Sequence, residues 1–107
     1  MKRLVHIVPV GGFNLFDAMQ SEVARLTAGG RGTFRRLGRK EKNRARWNHL
    51  RYQGRIALER TRGQAVAAKV TAAGKSANPW QLLHAFIGWT DRHFATKLQS
   101  LTVQYLD

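Results

Sequence analysis

The amino-acid sequence predicts an α+β fold, a ferredoxin-like split β-α-β sandwich in which two helices back one antiparallel sheet. A chain of 107 residues has room for a single core. Its apolar residues recur with the period of strands in some segments and of helices in others, in the order strand, helix, two or three strands, helix, strand. We therefore expect one domain over residues 1–107, with a basic loop or strand insertion at about 30–46.

The first strand and the first helix have clear boundaries in the sequence. Leu4–Val10 is rich in β-branched residues and ends at Gly11-Gly12, which indicates a core strand followed by a turn. Asn14 or Asp17 can cap a helix that ends at Gly29-Gly30. Along this helix, apolar residues recur every three or four positions, at Phe16, Met19, Val23 and Leu26.

The middle of the chain has a weaker pattern. Residues 31–46 hold many arginines and few large apolar groups, so we expect a mobile, basic connection there. After it, apolar and polar residues alternate over 47–52 and over 56–59, and the small residues of 65–70 are compatible with a strand. These segments predict two or three antiparallel strands, and Arg62-Gly63 fits a two-residue turn between the last two.

The second helix is predicted from its start. Asn78 can accept free amide hydrogens, and Pro79 loses no hydrogen bond at the first helical position. A stripe of apolar residues at helical spacing follows, formed by Trp80, Leu83, Ile87, Phe94 and Leu98, with Phe86 beside it. After Leu98 the period changes to two, which predicts a closing strand with Leu101, Val103 and Tyr105 on one side.

Composition limits the classes of partner and the location. No run approaches the roughly 20 apolar residues of a membrane span, and the basic residues do not accompany the broad apolar face of a membrane-surface helix. We therefore expect no membrane partner. The absence of cysteine excludes disulfides and thiolate chemistry and fits a reducing compartment, so we expect a cytoplasmic location.

The strongest functional signal is the basic segment, which we define as Arg31–Arg62. It contains twelve of the nineteen Lys and Arg residues and only two acids, Glu41 and Glu59, in a chain whose net charge is +13. This density of positive charge favours binding to a phosphate backbone, without sequence specificity. Ten of the twelve cations are arginine, whose planar group grips phosphate and stacks on bases, so RNA is slightly favoured over DNA.

The predicted nucleic-acid contacts combine charged and aromatic side chains. Trp47 and Tyr52 are candidates for stacking on unpaired bases. The full set of expected contact residues is Arg31, Arg35, Arg36, Arg39, Lys40, Lys42, Arg44, Arg46, Trp47, Arg51 and Tyr52. In the alternative interpretation, Trp47 and Tyr52 belong to the core and the arginines form a solvated face, or dock on an acidic protein partner as part of a small structural subunit.

A further alternative is catalytic. His49 lies close in sequence to Arg46, Arg51 and Tyr52, which together supply a base, an acid and cations. A small, metal-independent endoribonuclease of the toxin type needs no more than these groups to cleave RNA. Neighbouring arginines also favour a neutral imidazole, which suits a general base. Binding without catalysis is the preferred prediction, because sequence proximity alone supports the catalytic one.

We expect no cofactor and no metal. The four histidines lack the close spacing of zinc ligands. The end of the first strand, Val8–Gly12, has no acid, which argues against two-metal phosphodiester chemistry. Gly29-Gly30-Arg31-Gly32 lacks the Lys-Ser/Thr of a P-loop, and we interpret it as the end of a helix followed by a linker.

The helix predicted over Trp80–Phe94 raises the question of a protein partner. Trp89 lies off its main apolar stripe, which predicts a contact surface for a protein partner or for a second copy in a homodimer; the alternative is a wide buried face. Gly88 lowers helix stability by about 1 kcal/mol relative to alanine, which indicates that another backbone approaches closely there.

Overall fold

The computed structural model describes residues 1–74 and 77–106; Lys75, Ser76 and Asp107 lie outside the described residues. Six strands and two helices follow one another, with a short 3-10 segment before β5 and another before β6. Their bounds are β1 Lys2–Pro9, α1 Leu15–Ala28, β2 Phe34–Leu37, β3 Arg44–His49, β4 Arg55–Arg60, β5 Val66–Thr71, α2 Trp80–Phe94 and β6 Leu98–Leu106. No helix in the described part of the chain has the length and apolar character needed to cross a membrane.

The strands form one antiparallel sheet in the order β2-β3-β4-β5-β1-β6. Both helices contribute buried residues to the same core as one face of this sheet. The predicted α+β class, with one antiparallel sheet and two helices, is confirmed. The strand order differs from the expected ferredoxin-like pattern, because four strands rather than two or three lie between the helices, and that finer topology is not confirmed.

Strand β1 lies inside the sheet because it pairs with β5 on one side and with β6 on the other. Val5 and Ile7 point towards the helices and are fully buried. Their β-branched side chains suit this position, since they pack well on a pleated surface. The closing strand β6 begins at Leu98, where the sequence predicts the change of period.

Helix α1 agrees with its prediction in start and end and in three of the four residues of its apolar stripe; the fourth, Leu26, is half-buried. The Asn14 side chain accepts a hydrogen bond from the backbone N–H of Asp17 at 3.2 Å, which caps the first turn. The buried residues are Leu15, Phe16, Met19 and Val23. Gly29 follows the last helical residue.

The predicted mobile connection over residues 31–46 is wrong for β2 and for the start of β3. Phe34, the first residue of β2, is buried, with its ring centroid 5.8 Å from that of Trp47 and 5.9 Å from that of Trp89. A strand of four residues is too short to show a clear period. Its partners come from β3 and α2, far along the chain, so the local pattern did not reveal it.

Helix α2 begins one residue later than its predicted cap implies, and it buries a different stripe. Pro79 occupies the capping position, and no side-chain hydrogen bond caps the helix. The buried residues are Leu82, Leu83, Phe86, Trp89, Thr90 and Phe94, whereas the side chain of Trp80 is 52% exposed. The stripe passes through Trp89 because the ring of Trp89 packs against the ring of Trp47 in the sheet, with centroids 5.3 Å apart.

Candidate nucleic-acid interface

The sheet has one face covered by the helices and one face that no described element covers, which we call the open face. Antiparallel sheets commonly keep one face in water. The residues that alternate onto the open face are Arg35 and Leu37 on β2; Arg44, Arg46 and Asn48 on β3; Arg55, Ala57 and Glu59 on β4; Ala67, Lys69 and Thr71 on β5; Lys2, Leu4, His6 and Val8 on β1; and Ser100, Thr102, Gln104 and Leu106 on β6.

Positive charge dominates the open face. Its cations are Lys2, Arg35, Arg44, Arg46, Arg55 and Lys69, and its acid is Glu59. Arg46 lies opposite Ala57 on the next strand, and Ala57 lies opposite Lys69 on the strand after that. Within the described residues, Arg46 and Lys69 form no ion pair with a carboxylate, so their charges are available to a ligand.

A hollow of about 370 Å³ lies in the middle of this face. Ala57 and Ala67 contribute small side chains to it. Its charged lining residues are Arg44, Arg46, Lys69, Glu41 and Glu59. Small residues beside long cations leave room for an anionic chain to approach the sheet while the cations reach it from either side.

The helix side of the molecule carries more of the acids. Asp17 and Glu22 lie on α1 and Asp91 lies on α2. Glu22 Oε1 lies 2.7 Å from Arg25 Nε, and the hydrogen bond from Arg25 holds the pKa of Glu22 below its ordinary value. Asp17 Oδ1 lies 2.7 Å from Arg60 Nη2. The acids of α1 are therefore already neutralised by neighbouring cations.

The turn between β2 and β3 extends the basic surface beyond the sheet. Arg39, Lys40 and Lys42 are all exposed in this turn. A second hollow, of about 640 Å³, lies between the turn and α1, and Arg36 lines it. Arg36 therefore lies on the helix side of β2, away from the other predicted contacts on the strands.

Arg31 and Arg35 differ in how free their side chains are. Arg31 is exposed in the connection before β2. Arg35 donates through Nη1 to the carbonyl oxygens of Phe34 at 2.9 Å and Gly32 at 3.1 Å. The guanidinium of Arg35 thus holds the chain entering β2 while it lies on the open face.

Trp47 does not belong to the exposed contact set that the sequence predicts. Its side chain is fully buried, among Phe34, Phe86 and Trp89. The indole Nε1–H donates to Gln20 Oε1 at 3.3 Å, which satisfies the one polar atom of the ring. A base cannot stack on a ring without an exposed face, so the core interpretation holds for Trp47. Side chains alternate between the two faces along β3. Arg46 points to the open face, so Trp47, the next residue, points to the core.

The four residues of the catalytic alternative do not form one site. Arg46 points to the open face, whereas His49 follows the inward alternation of Trp47. His49 Nδ1 accepts the backbone N–H groups of Arg51 at 3.0 Å and of Tyr52 at 3.2 Å. The lone pair of Nδ1 is therefore occupied, and a neutral His49 carries its proton on Nε2, which leaves no free basic nitrogen.

The environment of His49 supports this neutral form. Burial lowers the pKa of His49, and the positive charge of Arg51 lowers it further. The half-buried ring of Tyr52 stacks on His49 with centroids 4.8 Å apart. His49 thus has a structural role in holding the turn after β3, and Arg51 remains exposed beside it.

Among the described residues, no group of three or more His, Asp and Glu side chains is placed to hold a metal ion. His93 Nδ1 instead lies 2.8 Å from Glu22 Oε2, between the two helices. His84 packs its ring against Trp80 with centroids 5.7 Å apart.

The partner surface predicted on α2 changes with the helix orientation. Trp89 is only 2% exposed, which matches the alternative of a wide buried face. Trp80 is the exposed aromatic residue of this helix. No atom lies within 4 Å of the position that a Cβ would take at Gly88, so no described backbone approaches it closely.

Three cations of the open face lie outside the predicted contact set: Lys2, Arg55 and Lys69. Lys2 and Lys69 lie far in sequence from the dense part of the basic segment. Strand pairing brings them to the same face, because Lys69 lies opposite Ala57 and Lys2 lies opposite Thr71. The alternation of Lys69 with small apolar neighbours was the available sequence signal for an outward position.

No protein-family model, curated protein or solved structure matches this chain. The charges, strand register and burial of the described residues are therefore what supports a function for it.

Proposed function

We propose that the protein binds nucleic acid through the open face and the turn between β2 and β3. The contacts are mainly to phosphates, RNA is favoured slightly over DNA, and no catalysis follows. The observation that carries this proposal is the uneven charge of the open face, where six cations accompany Glu59 on the strands and Glu41 from the turn, which forms an ion pair with Arg44. A cytoplasmic location is part of the same proposal.

The arrangement of Arg46, Ala57 and Lys69 supports phosphate binding. Neighbouring strands lie about 4.8 Å apart, so the backbones of β3 and β5 are about 10 Å apart. Arg46 and Lys69 are long side chains on these two strands, with the small Ala57 between them. A phosphate backbone crossing the sheet can meet both cations without displacing a bulky side chain.

The burial of the aromatic residues favours phosphate contact over base recognition. Trp47 is inaccessible, and Tyr52 already stacks on His49. Binding without base stacking takes its affinity from the release of counterions and shows little sequence specificity. The preference for RNA depends on the number of arginines, whose planar group can grip phosphate with two hydrogen bonds.

The test is a salt titration in which fluorescence anisotropy measures binding to a labelled single-stranded RNA and to a matched DNA. Counterion release predicts a linear log-log loss of affinity, with a slope of about 0.7 to 0.9 per phosphate contact. Lys69→Gln should lower this slope by the amount expected for about one phosphate contact. Arg92→Gln removes the same charge from an exposed position on α2 and should leave the slope unchanged.

The outcomes separate the candidate functions. Equal effects of Lys69→Gln and Arg92→Gln would show that net charge, and not the open face, causes binding. Absence of binding at low salt would overturn the proposal and favour an acidic protein partner. Recovered RNA is run on a gel, and cleavage that is lost in His49→Asn would restore the endoribonuclease hypothesis.

We also propose that the fold is ferredoxin-like with the β2-β3 hairpin as an addition. Strand β1 is antiparallel to β5 and to β6, so these two strands run parallel to each other on either side of it. Helix α2 joins them, which forms a split β-α-β unit. Strands β1 and β4 flank β5 in the same way. The added hairpin extends the sheet beyond β4 and carries much of the basic segment.

A further inference from the structure

Strand β6 is an edge strand that lacks the usual protection. It is nine residues long and pairs with β1 on one side, while no strand in the described part of the chain pairs with its other side. Residues 98–106, LQSLTVQYL, contain no charged residue, no proline and no glycine. Natural edge strands are usually short, charged, interrupted by proline, or covered, because an open edge can pair with another strand.

The opposite edge of the sheet shows such protection. Strand β2 has four residues and carries Arg35 and Arg36. On β6, the register shift opposite Val8 and Pro9 lies at the beginning of the strand, so most of the edge is regular. Leu101 and Val103 remain half-buried, and Tyr105 is 70% exposed. The edge is therefore both unpaired and partly apolar.

Charge indicates what can pair with this edge. The chain carries a net charge of +13, which opposes contact between two copies over most of the surface. Strand β6 is itself uncharged, and β1 and β5 separate it from the arginines of β4 and β3. A cation close to its side chains is Arg3 on β1, whose guanidinium carbon lies 4.2 Å from the ring centroid of Tyr105. A second copy can therefore approach here with less repulsion, whereas an acidic partner would be drawn to the open face.

We propose that β6 pairs antiparallel with β6 of a second copy, about a two-fold axis at Thr102. Such a contact is self-complementary, as two-fold interfaces are. It places Leu101 beside Val103 of the second copy on the helix side. On the open side it places Ser100 beside Gln104. Next to the axis, the pair on the covered face is thus apolar and the pair on the open face is polar, and two six-stranded sheets become one.

Cysteine cross-linking tests this register, because the chain has no cysteine of its own. Thr102 is exposed, and Thr102→Cys would face itself across the axis. Under mild oxidation, we expect Thr102→Cys to form a covalent dimer faster than Ser100→Cys or Gln104→Cys. Ala57→Cys, exposed on β4 of the same face, is the control and should form little covalent dimer. Equal cross-linking at Ala57 and Thr102 would overturn the proposal.

A measurement without covalent trapping completes the test. Sedimentation equilibrium of the nucleic-acid-free protein should show a monomer–dimer equilibrium that strengthens with salt, because salt screens the repulsion between basic copies. Thr102→Lys places two like charges at the axis and should weaken dimerisation by about tenfold or more. Ala57→Lys adds the same charge elsewhere and should not. A monomer at every concentration and salt would refute the dimer, whatever the outcome for nucleic acid.

Discussion

Arg46 and Lys69 lie on either side of Ala57 on the open face, one on each strand that neighbours β4. This relationship makes Ala57 a sensitive position for the proposed binding. Ala57→Glu would place a carboxylate between the two cations, where it competes with phosphate for both. We expect the affinity for RNA at ~0.1 M salt to fall about tenfold, which equals about 1.4 kcal/mol. Fluorescence anisotropy measures it.

The matched control for Ala57→Glu is Thr96→Glu, which changes the net charge equally at an exposed position near the start of β6. It should change the affinity by less than about twofold, as expected for a remote screened charge. Similar losses in both variants would contradict a localised interface. Thermal unfolding of both variants establishes that the fold is intact.

The hydrogen bonds of His49 predict a dependence of stability on pH. Burial and Arg51 lower the pKa of His49 below its ordinary value of 6.5. The unfolded chain therefore binds a proton at a higher pH than the folded chain, so the free energy of unfolding falls as pH decreases below about 6.5. Urea unfolding between pH 7.5 and 5 measures this decrease.

His49→Asn is the comparison for this titration, because an asparagine side chain can also accept backbone N–H groups two residues along the chain. The free energy of unfolding of His49→Asn should depend less on pH between pH 7.5 and 5. Parallel pH profiles for the two proteins would exclude His49 as the cause. The difference between the profiles removes the contribution of the other histidines, which both proteins retain.

Truncation of Trp47 should destabilise the fold strongly, whereas truncation of Trp80 should have little effect. Trp47 is fully buried and Trp80 is 52% exposed. We expect Trp47→Ala to lower the free energy of unfolding by about 3–5 kcal/mol. Trp80→Ala should change it by less than about 0.5 kcal/mol. Denaturant unfolding measures both, and a stable Trp47→Ala protein that has lost RNA binding would instead support a stacking role.

Arg60 connects β4 to the first turn of α1 and to the turn that follows β4. Its Nη1 donates to Asn14 Oδ1 at 3.0 Å and to Gln64 Oε1 at 2.9 Å, and its Nη2 lies 2.7 Å from Asp17 Oδ1. Lysine keeps the charge and cannot keep the forked geometry. Arg60→Lys should therefore lower the free energy of unfolding by about 1 kcal/mol, a modest value because the Asp17 carboxylate is exposed and screened.

The control for Arg60→Lys is Arg62→Lys, at an exposed position in the same turn. Calorimetry should detect no change in its melting temperature. Arg60→Lys should also leave RNA affinity unchanged, because Arg60 lies on the helix side of the sheet. A loss of affinity without a loss of stability would require the interface to extend to α1.

Two glycines should give opposite results when replaced by alanine. Gly54 has φ +118, and a Cβ there would collide with the carbonyl oxygen of Thr71, so Gly54→Ala should destabilise the fold by at least about 1–3 kcal/mol. Gly88 lies in α2 with open space around its Cβ position, so Gly88→Ala should stabilise the fold by about 1 kcal/mol. Urea unfolding checks both, and destabilisation by Gly88→Ala would indicate a backbone packed against α2.

The sequence was sufficient to predict elements whose ends and apolar pattern are set by residues within the element itself. Asn14 caps α1 as its side chain allows, and β6 begins at Leu98 where the period changes. The connection predicted at Arg62-Gly63 is present, but it is longer than two residues: β4 ends at Arg60 and β5 begins at Val66. Arg60 holds Gln64, which adopts φ 67, in this longer turn.

The rest depended on contacts between distant segments. Phe34 looks like an isolated aromatic residue among arginines, and only the rings of Trp47 and Trp89 give it a buried position. For the same reason, the sequence placed both Arg46 and Trp47 in the expected contact set, although Arg46 points outward and Trp47 points into the core. The alternation around Lys69 indicates an outward side chain, but its place beside Arg46 follows from the pairing of β4 with β3 and with β5, which no local pattern encodes.

The uneven placement of charge, with Asp17, Glu22 and Asp91 on the helices and Lys69 and its neighbours on the sheet, has a consequence before any contact forms. It gives the molecule an electric dipole that runs from the helices towards the open face. In the field of a polyanion such a dipole experiences a torque. A protein that binds a polyanion as proposed would therefore rotate as it diffuses and arrive with the sheet turned towards the polyanion.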